Sequence, residues 1–513
     1  MNYLNDCLDF IEAERKANKK ELYRLINLED SEHNDEGQTL NKVRFVSKTK
    51  NGFLYKYPSQ FCKFREEKRV DIYLDKRKVS ENGAEIVSID HLKNEIVLDV
   101  LLNEKTEYLL VASLEIVPYA VINSLKKMIQ EPSLLATNII ERDSNFESFG
   151  EFTQENVIKS VKSMNNGSFI FLQGCPGAGK TYTGKNIIKH LVENKNKILV
   201  TSNSHRAITN LLESLDFEFK GVKLCSRDNQ KIENKNFTNR FPSGKEIDNY
   251  VDGFDIVAGT CFALSKIKDL KYDFIIVDEA SQLKMSFLLA ISRLAKKVIV
   301  LGDQNQLQSI SPIEQTSGGE SIFDYVLEKN KIVPSHLGYL LDTTYRMEPQ
   351  IASLISKVFY EGKMKWKQTK NLEGVNLIES DHSHGQKISE EEAKDVLKVY
   401  KKLRAKKVKP EDILITTPYN AQVALIKSLV HKKTVVGTTD LIQGGEADFV
   451  IISCVSAGNK AQSAEFATNP NRLNVAISRA KKGAYLVASK GLINSGFVSK
   501  EFKNIISELK KNN

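Results

Sequence analysis

The sequence lacks the features that would place it among disulfide-rich, zinc-binding or membrane-spanning proteins. Its six cysteines are scattered singly with no Cys-x-x-Cys pair, and its eight histidines complete no zinc site. We therefore expect reduced thiols and no structural metal. No apolar run approaches about 18 residues, and no charged-then-apolar segment follows Met1. These absences predict a cytoplasmic protein without a membrane partner.

The net charge and two local clusters are all compatible with an ordinary solvated surface. The chain has 74 Lys and Arg against 65 Asp and Glu, a net charge of +9. That excess permits a polyanionic partner but does not require one. The lysine-rich segment 401–409 ends a helix begun by a Ser389-x-x-Glu392 capping box, where cations complement the helix C-terminus. His382 and His384 lack metal-ligand spacing, so we expect them in a solvated turn.

A Gly-rich turn between an apolar run and a helical pattern carries the strongest local signal. The run at 169–172 predicts a buried strand, and a helix is predicted from Tyr182 onward. Residues 174–181 match the phosphate-loop pattern, in which backbone N–H groups converge on phosphate, Lys180 reaches the β- and γ-phosphates and Thr181 ligates Mg²⁺. We therefore predict that the chain binds a nucleoside triphosphate. The predicted nucleotide-contacting residues here are Gly174, Cys175, Pro176, Gly177, Ala178, Gly179, Lys180, Thr181 and Tyr182.

The first 132 residues show a different organisation. Apolar residues at helical spacing predict one long helix over 2–28 and a second over 119–130. Between them short apolar runs recur at roughly ten-residue intervals, and Asn51-Gly52 is typical of a hairpin. The predicted strands lie at 43–46, 53–55, 70–74, 85–87, 95–98 and 109–117. We expect a small β-barrel carried between two helices, followed by a linker at 133–150.

Buried-looking strands alternate with helices over residues 151–335, which is typical of a parallel, doubly wound sheet. These strands are predicted at 169–172, 198–201, 256–258, 274–277 and 298–301. Asp278 and Glu279 follow the fourth strand, where an Asp can hold Mg²⁺ through water and a Glu can deprotonate the attacking water. The segment 221–253 lies within this domain and contains several basic residues. Its basic residues are Lys223, Arg227, Lys231, Lys235 and Arg240.

A second alternation of strands and helices, over 336–513, contains no phosphate loop. Its strands are predicted at 413–416, 434–436, 449–453 and 484–487. It offers arginines beside polar motifs instead, Arg346 after Tyr345 and Arg479 after Ser478. An arginine presented to a γ-phosphate from a facing domain stabilises transition-state charge. Hydrolysis would then depend on how the two domains close.

Together these motifs resemble superfamily 1 helicases, specifically the Upf-like branch with two RecA-like domains. The likeness covers about residues 150–490. It implies that the segment 221–253 is a short form of the family's second insertion, which could touch a nucleic-acid strand. The motifs occur in the family's order, at 174–181, 201–207, 259–260, 278–280, 302–307, 345–347, 440–446 and 472–480. The resemblance implies an α/β fold in which two RecA-like P-loop domains hold parallel doubly wound sheets. It also implies a small N-terminal β-barrel on two stalk helices, in agreement with the periodicity.

The resemblance implies a role for each matching residue. It assigns Lys180 and Thr181 to binding phosphate and Mg²⁺, Asp278 to binding the metal, Glu279 to the role of general base and Gln306 to that of γ-phosphate sensor. Arg346 and Arg479 would be arginine fingers, and Gln443 and Glu446 would couple the domains. Gln306, Arg346, Glu446 and Arg479 would lie close to the nucleotide. It implies nucleic-acid contacts at Ser204, His205, Arg206, Ala207, Thr260, Pro418, Tyr419 and Thr439. Without the family, the latter would be interpreted as ordinary strand-end residues. The family's adenine-contacting glutamine should lie near 152–156, where the register gives Asn156, with Gln154 two places earlier.

The implied function is that of an ATP- and Mg²⁺-dependent translocase and helicase, moving 5′ to 3′ on single-stranded DNA or RNA and working as a monomer. An alternative is a nucleic-acid-stimulated ATPase that clamps or remodels protein–nucleic-acid complexes without unwinding, because both need the same motifs. A fused nuclease is the third possibility. Only Glu66-Glu67-Lys68 matches an acidic-x-Lys pattern there, and a solvated charge cluster explains it better.

Overall fold

The computed structural model describes residues 2–511 except 61, 65, 67, 81–82, 91–92, 115, 227–229, 242–246, 269, 310, 312, 315, 329, 384–386 and 443. Four residues singled out from the sequence, Glu67, Arg227, His384 and Gln443, therefore lie outside the described residues. The chain divides into two compact units. The larger comprises Met1–Phe10, Pro118–Ser311 and Gln315–Asn513, and the smaller comprises Ile11–Val117 and Pro312–Glu314.

The smaller unit contains an antiparallel barrel. Its strands are β1 (Thr39–Thr49), β2 (Gly52–Lys56), β3 (Arg69–Leu74), β4 (Arg77–Lys78), β5 (Ala84–Asp90), β6 (Glu95–Leu98) and β7 (Tyr108–Ala112). In the described residues the order β3-β5-β6-β2-β1-β7 closes because β7 pairs again with β3, while β4 adds a short hairpin to β3. Leu40, Tyr55, Val70 and Leu110 fill its interior. The predicted barrel is confirmed, although its last strand ends at Ala112.

The helices that precede and follow the barrel in the chain are α1 (Asn2–Ile26), the short α2 (His33–Glu36) and α3 (Tyr119–Gln130). α1 and α3 match the two predicted helices. Within the larger unit α3 packs against helix α10 (Met285–Ser292), and Val121 and Leu125 are buried. The Ser124 hydroxyl donates to Ala290 O at 2.6 Å. α3 is therefore part of the larger unit rather than of the barrel.

The first sheet is parallel and contains all five strands predicted for residues 151–335. Its strands are β8 (Phe169–Gly174), β9 (Ile198–Ser202), β10 (Gly221–Leu224), β11 (Phe237–Arg240), β12 (Ile256–Ala258), β13 (Tyr272–Asp278), β14 (Ala295–Gly302) and β15 (Gly338–Leu341). Among the described residues their order is β11-β10-β12-β9-β13-β14-β8-β15. The accompanying helices are α4 (Leu134–Glu141), α5 (Gln154–Ser163), α6 (Lys180–Glu193), α7 (His205–Glu213), α8 (Ile247–Val251), α9 (Cys261–Leu264), α10 and α11 (Ile322–Leu327), with a 3₁₀ turn at Ala280–Gln282.

Two parts of this sheet differ from the expectation. The segment expected to be an insertion supplies β10 and β11, which extend the sheet at one edge. Lys223 in β10 is fully buried, with its ammonium donating to Thr209 and to His205 O, so it is not free to touch a nucleic-acid strand. β15, which the sequence assigned to the second domain, pairs with β8 at the other edge.

The second sheet is also parallel, in the order β18-β22-β21-β19-β20. Its strands are β18 (Gly374–Ser380), β19 (Ile413–Thr416), β20 (Val435–Gly437), β21 (Ala447–Ser453) and β22 (Ala480–Ser489), and a separate ribbon joins β16 (Thr343–Thr344) to β17 (Lys365–Trp366). The helices are α12 (Pro349–Phe359), α13 (Glu390–Ala405), α14 (Asn420–Leu429), α15 (Ala461–Ala467), α16 (Pro470–Ser478), α17 (Lys490–Ile493) and α18 (Lys500–Lys511), with a 3₁₀ turn at Pro410–Asp412. The sequence predicted four of these strands and missed β18. In the described part of the chain no helix is long and apolar enough to cross a membrane.

His382 does not lie in a solvated turn, so that expectation is wrong. Its Nε2 lies 2.9 Å from Glu392 Oε1, and the two side chains are 2% and 0% exposed. Glu392 Oε2 accepts from Ser453 Oγ at 2.7 Å and from Val455 N at 2.9 Å. A buried carboxylate requires hydrogen-bond donors, and His382 is drawn inside as one of them. Glu392 therefore completes only half of the predicted capping box, in which the Ser389 hydroxyl accepts from Glu392 N.

Candidate active site and nucleic-acid interface

The Gly-rich turn connects the end of β8 to the first residue of α6. Gly177 and Gly179 have φ values of +74° and +82°, a left-handed conformation that favours glycine. A Cβ atom at Gly177 would lie 2.6 Å from Arg346 Cβ, so the turn has no room for a side chain there. Lys180 begins α6, and its ammonium donates to Gly174 O at 2.8 Å. The local geometry is that of an anion-binding loop at a helix N-terminus.

Two adjacent carboxylates stand at the end of β13. Asp278 is the last residue of the strand and is 7% exposed. Glu279 follows in a left-handed conformation, with φ +50°, and its N–H donates to Asp278 Oδ1 at 2.9 Å. Burial, and then the charge of Glu279, raise the pKa of Asp278 to about 7, although the nearby Lys180 opposes this rise. A divalent cation beside Asp278 would favour its charged form.

Arginines from the second predicted domain reach the phosphate loop. Tyr345 N donates to Gly177 O at 3.0 Å, which places Arg346 beside the loop. Arg346 Nε donates to Glu446 Oε2 at 2.8 Å. Arg479 is buried, and its Nε has no hydrogen-bond partner among the described residues. Burial and the charge of Arg346 lower the pKa of Arg479 to about 10. The structure thus brings the two predicted arginine fingers close to each other, with Arg346 next to the phosphate loop.

Two acidic side chains oppose the charge of these arginines. The negative charges of Glu279 and Glu446 both raise the pKa of Arg479 and so partly offset the effects of burial and of Arg346. Hydrogen bonds from Lys481 and Arg346 hold the pKa of Glu446 below its ordinary value. The Lys481 ammonium lies 2.6 Å from Glu446 Oε1. The sequence did not point to Lys481, because a lysine at the start of a strand carries no motif of its own.

The side chain expected to sense the γ-phosphate is buried in the loop that follows β14. Gln306 is 7% exposed, and its Nε2 donates to Asp303 Oδ2 at 2.7 Å. The backbone carbonyl oxygen of Gln306 accepts from Asn471 Nδ2, on α16, at 2.6 Å. The loop of the first domain that holds Gln306 is therefore bound directly by a helix of the second.

Gln154 and Asn156, the two candidates for the adenine contact, make different hydrogen bonds. Gln154 Nε2 donates to Thr183 Oγ1 at 2.7 Å, on the helix that follows the phosphate loop. Asn156 Nδ2 instead donates to the backbone oxygen of Glu151 at 2.9 Å. Tyr182, in the first turn of α6, is 63% exposed and available to a ligand.

The residues expected to contact nucleic acid in the first domain follow the carboxyl ends of two neighbouring strands. Ser204 follows β9 and caps α7, accepting from Ala207 N at 3.2 Å, so His205 and Arg206 lie in the first helical turn. Thr260 follows β12 and precedes α9. In the sheet order β9 and β12 lie on one side of β13, whereas β14 and β8 lie on the other. The two sets of candidate residues therefore occupy different halves of one sheet edge.

In the second domain the corresponding residues also follow strand ends, but one of them faces inward. Pro418 and Tyr419 follow β19, and the Tyr419 ring packs against Phe466 with centroids 5.4 Å apart. Thr439 follows β20 but is 5% exposed, and its hydroxyl lies 3.3 Å from Thr416 Oγ1. The Thr439 side chain therefore lies in the protein interior. Phe466 itself was not identified from the sequence.

The donor set fits a nucleotide with a hard cation. In the described residues no group of three or more His, Cys, Asp or Glu side chains could hold a metal ion. The Thr181 hydroxyl and the Asp278 carboxylate are oxygen donors of the kind that suits Mg²⁺, which usually takes one or two protein ligands together with phosphate oxygens. The unpartnered Nε of buried Arg479 and the bend at Gly177 both suit an anionic phosphate group.

Comparisons with known proteins point to the same family. Two families, each described as an AAA domain, match residues 157–312 and 319–491. The chain is similar to the ATP-dependent helicase NAM7 of Saccharomyces cerevisiae, with 28% identity over 62% of this chain and 40% of that protein. It is similar to the DNA replication ATP-dependent helicase/nuclease DNA2 of the same yeast, with 26% identity over 68% of this chain and 26% of that protein. A Regulator of nonsense transcripts 1 homolog from Neurospora crassa is 25% identical over 65% of this chain and 37% of its own length.

The chain thus spans between 26% and 40% of the length of these three relatives. Each match covers more than three fifths of this chain. The two family matches include the phosphate loop, the strand-end carboxylates and the two arginines. On these motifs, their geometry and the matches, the chain belongs to the superfamily 1 helicases, in the Upf-like branch with two RecA-like domains.

Proposed function

We propose that this chain hydrolyses ATP to move along a single nucleic-acid strand in the 5′-to-3′ direction and to unwind duplexes ahead of it. The observation that carries the proposal is the contact between the second domain and the phosphate loop. Tyr345 N donates to Gly177 O at 3.0 Å, which places Arg346 at the loop, and Arg479 lies close enough to Arg346 for that charge to lower its pKa. Hydrolysis is then tied to the arrangement of two domains, which is what a translocating ATPase requires.

In this proposal the phosphate loop and Lys180 bind the β- and γ-phosphates, and Gln154 and Tyr182 lie towards the base. Mg²⁺, when bound through Thr181 and Asp278, neutralises phosphate charge. Glu279 orients the attacking water and accepts its proton. Arg346 and Arg479 stabilise the charge that develops in the transition state, while Glu446 holds Arg346 in place.

ATP hydrolysis measured with and without single-stranded DNA and RNA tests the proposal directly. We expect turnover to rise strongly with at least one of the two strands, because the nucleic-acid residues and the nucleotide residues share one sheet. A strand-displacement assay then separates the helicase from an ATPase that clamps complexes without unwinding. Turnover that neither strand stimulates would contradict the proposal.

Strand binding should weaken steeply as salt is raised. Each phosphate neutralised by the protein should contribute about −0.7 to the slope of log K against log salt concentration. Arg206→Ala should make this slope shallower by about that amount, because the side chain is exposed at the carboxyl edge of the first sheet. Arg404→Ala, at the exposed end of α13, is the matched control and should leave the slope unchanged. A salt-independent affinity would exclude contacts along the phosphate backbone.

The barrel should matter more for unwinding than for hydrolysis. Its six-strand ring has its own apolar core, so deleting residues 43–117 and joining the helices with a short Gly/Ser bridge should leave the larger unit folded. We expect nucleotide binding and basal hydrolysis to persist, while strand affinity or strand displacement falls much more. Displacement equal to that of the intact chain would make the barrel an accessory domain.

We further propose that the protein works as a monomer in the cytosol. All six cysteines are free and buried, and none lies in a disulfide. Free thiols suit a reducing compartment. Sedimentation of the purified chain with a single strand would test the stoichiometry.

A further inference from the structure

The hydroxyl group of the buried Tyr360 joins the two RecA-like domains. Tyr360 follows α12, a helix that packs against α16, α18 and β18. Its hydroxyl donates to Asp303 Oδ2, in the loop after β14, and accepts from Asn474 Nδ2 at 3.0 Å. Burial and the charge of Asp303 hold the pKa of Tyr360 well above its ordinary value, so the hydroxyl keeps its proton and remains a donor. A side chain of the second domain is therefore bonded to a loop of the first.

The same carboxylate oxygen also holds Gln306. Oδ2 of Asp303 accepts from Gln306 Nε2 at 2.7 Å, while Oδ1 accepts from Gln173 Nε2 at 3.3 Å and from Asn305 N at 3.2 Å. Asp303 is only 1% exposed, so water cannot readily replace a donor that is lost. The position of Gln306 therefore depends on an oxygen that Tyr360 shares.

Helix α16 binds the backbone of the same loop. Asn471 Nδ2 donates to the carbonyl oxygen of Gln306 at 2.6 Å, and Asn474 Nδ2 donates to that of Asn305 at 2.7 Å. Arg479 comes directly after the last residue of α16. One helix thus carries the two amides that hold the loop and leads directly into an arginine proposed to face the γ-phosphate. A movement of α16 would change both together.

We propose that Tyr360 is a positioning residue that couples Gln306 to the arrangement of the second domain. The proposal rests on the ATPase function proposed above, in which Gln306 contacts the γ-phosphate. When the second domain moves away, Asp303 loses a donor, its carboxylate turns towards the donors that remain, and Gln306 moves with it. Tyr360 acts through Asp303 rather than on the nucleotide. ATP hydrolysis is then fastest while the second domain holds Tyr360 against Asp303.

Tyr360→Phe tests this coupling because it removes only the hydroxyl. A hydrogen bond to a charged group is strong enough for its loss to lower strand-stimulated kcat by about tenfold or more. KM for ATP should stay within about twofold, since no nucleotide contact is removed. Asn474→Ala keeps the tyrosine but removes the amide that donates both to its hydroxyl and to Asn305 O, and should give the same split between kcat and KM.

Tyr339→Phe is the matched control. Tyr339 is a buried tyrosine of β15 whose hydroxyl lies 2.6 Å from Ser160 Oγ and accepts from Phe149 N at 3.0 Å. Its replacement removes a buried hydroxyl without touching Asp303. We expect wild-type kcat, KM and strand stimulation in this variant. Thermal unfolding of all variants checks that each is folded at the assay temperature.

The possible results separate this proposal from the function on which it rests. Turnover of Tyr360→Phe within about twofold of the wild type, or a fall that Tyr339→Phe matches, overturns the coupling role. A higher KM with unchanged kcat also overturns it, because Tyr360 would then serve nucleotide binding. If no strand stimulates the wild type, the proposed function fails instead. The basal kcat of Tyr360→Phe, compared with that of Tyr339→Phe, then tests the coupling.

Discussion

A Glu279→Gln variant is expected to bind ATP as the wild type does and to hydrolyse it about 10²- to 10⁴-fold more slowly. Glutamine has nearly the same shape as glutamate but cannot accept the proton of the attacking water. The left-handed backbone of Glu279 turns the chain away from the strand that ends at Asp278. Glutamine can adopt the same backbone conformation as glutamate. Equilibrium binding of labelled ATP, measured beside steady-state turnover, gives the two quantities.

Lys180→Ala should behave differently and lose binding as well as turnover. Its ammonium belongs to the phosphate loop, where it now donates to Gly174 O, and a triphosphate would offer it a stronger acceptor. Lys189→Ala and Glu193→Gln are matched controls, because these residues form an exposed pair on the same helix, 3.9 Å apart. Both controls should keep wild-type binding and turnover.

Hydrolysis at the wild-type rate in Glu279→Gln would refute its assignment as the base.

Arg346→Ala and Arg479→Ala should each lower turnover by about 10³- to 10⁵-fold while ATP affinity changes only a few-fold. A guanidinium group contributes most where charge develops in the transition state, so its loss affects kcat rather than ground-state binding. Arg479 Nε has no partner among the described residues, and its removal breaks no existing bond at that atom. Glu446 keeps Lys481 as its partner when Arg346 is removed. Single-turnover hydrolysis with the enzyme in excess over ATP measures the effect.

Lysine at the same two positions separates charge from geometry. Arg346→Lys and Arg479→Lys keep the positive charge but lose the planar fork that matches a phosphate group, so an intermediate rate is expected. Arg404→Ala, exposed at the end of α13, should hydrolyse ATP normally. Normal turnover in both alanine variants would mean that the two domains do not close around the nucleotide.

The nucleotide half of the site was predictable because its chemistry follows uninterrupted apolar runs. β8 and β13 are buried along almost their whole length, so their sequences show continuous hydrophobic stretches that end abruptly in polar residues. The turn at Gly177 and the pair Asp278-Glu279 could therefore be assigned to strand ends. The barrel was predictable for a related reason, because short strands and hairpin turns alternate regularly there.

Strands that lack a continuous apolar run, and long-range polar contacts, could not be predicted in the same way. β18 includes Asn376 and Glu379 and is half-buried along most of its length, so no apolar run marks it. β10 includes Lys223, whose ammonium donates to partners on α7 that are distant in the sequence. The bond between Tyr360 and Asp303 joins residues 57 positions apart and has no local pattern. Such contacts depend on tertiary packing, which periodicity does not encode.

The last strand of the first sheet has a consequence for how that domain can be made. β15 hydrogen-bonds to β8 along residues 171–174, so the ribosome has to release Leu341 before the phosphate-loop strand is flanked on both sides. A fragment that stops at residue 335, the boundary expected from the sequence, would leave β8 as an apolar strand with an open edge, ready to pair with another chain. A fragment extended beyond Leu341 would keep that edge covered and should stay dispersed at concentrations where the shorter one precipitates.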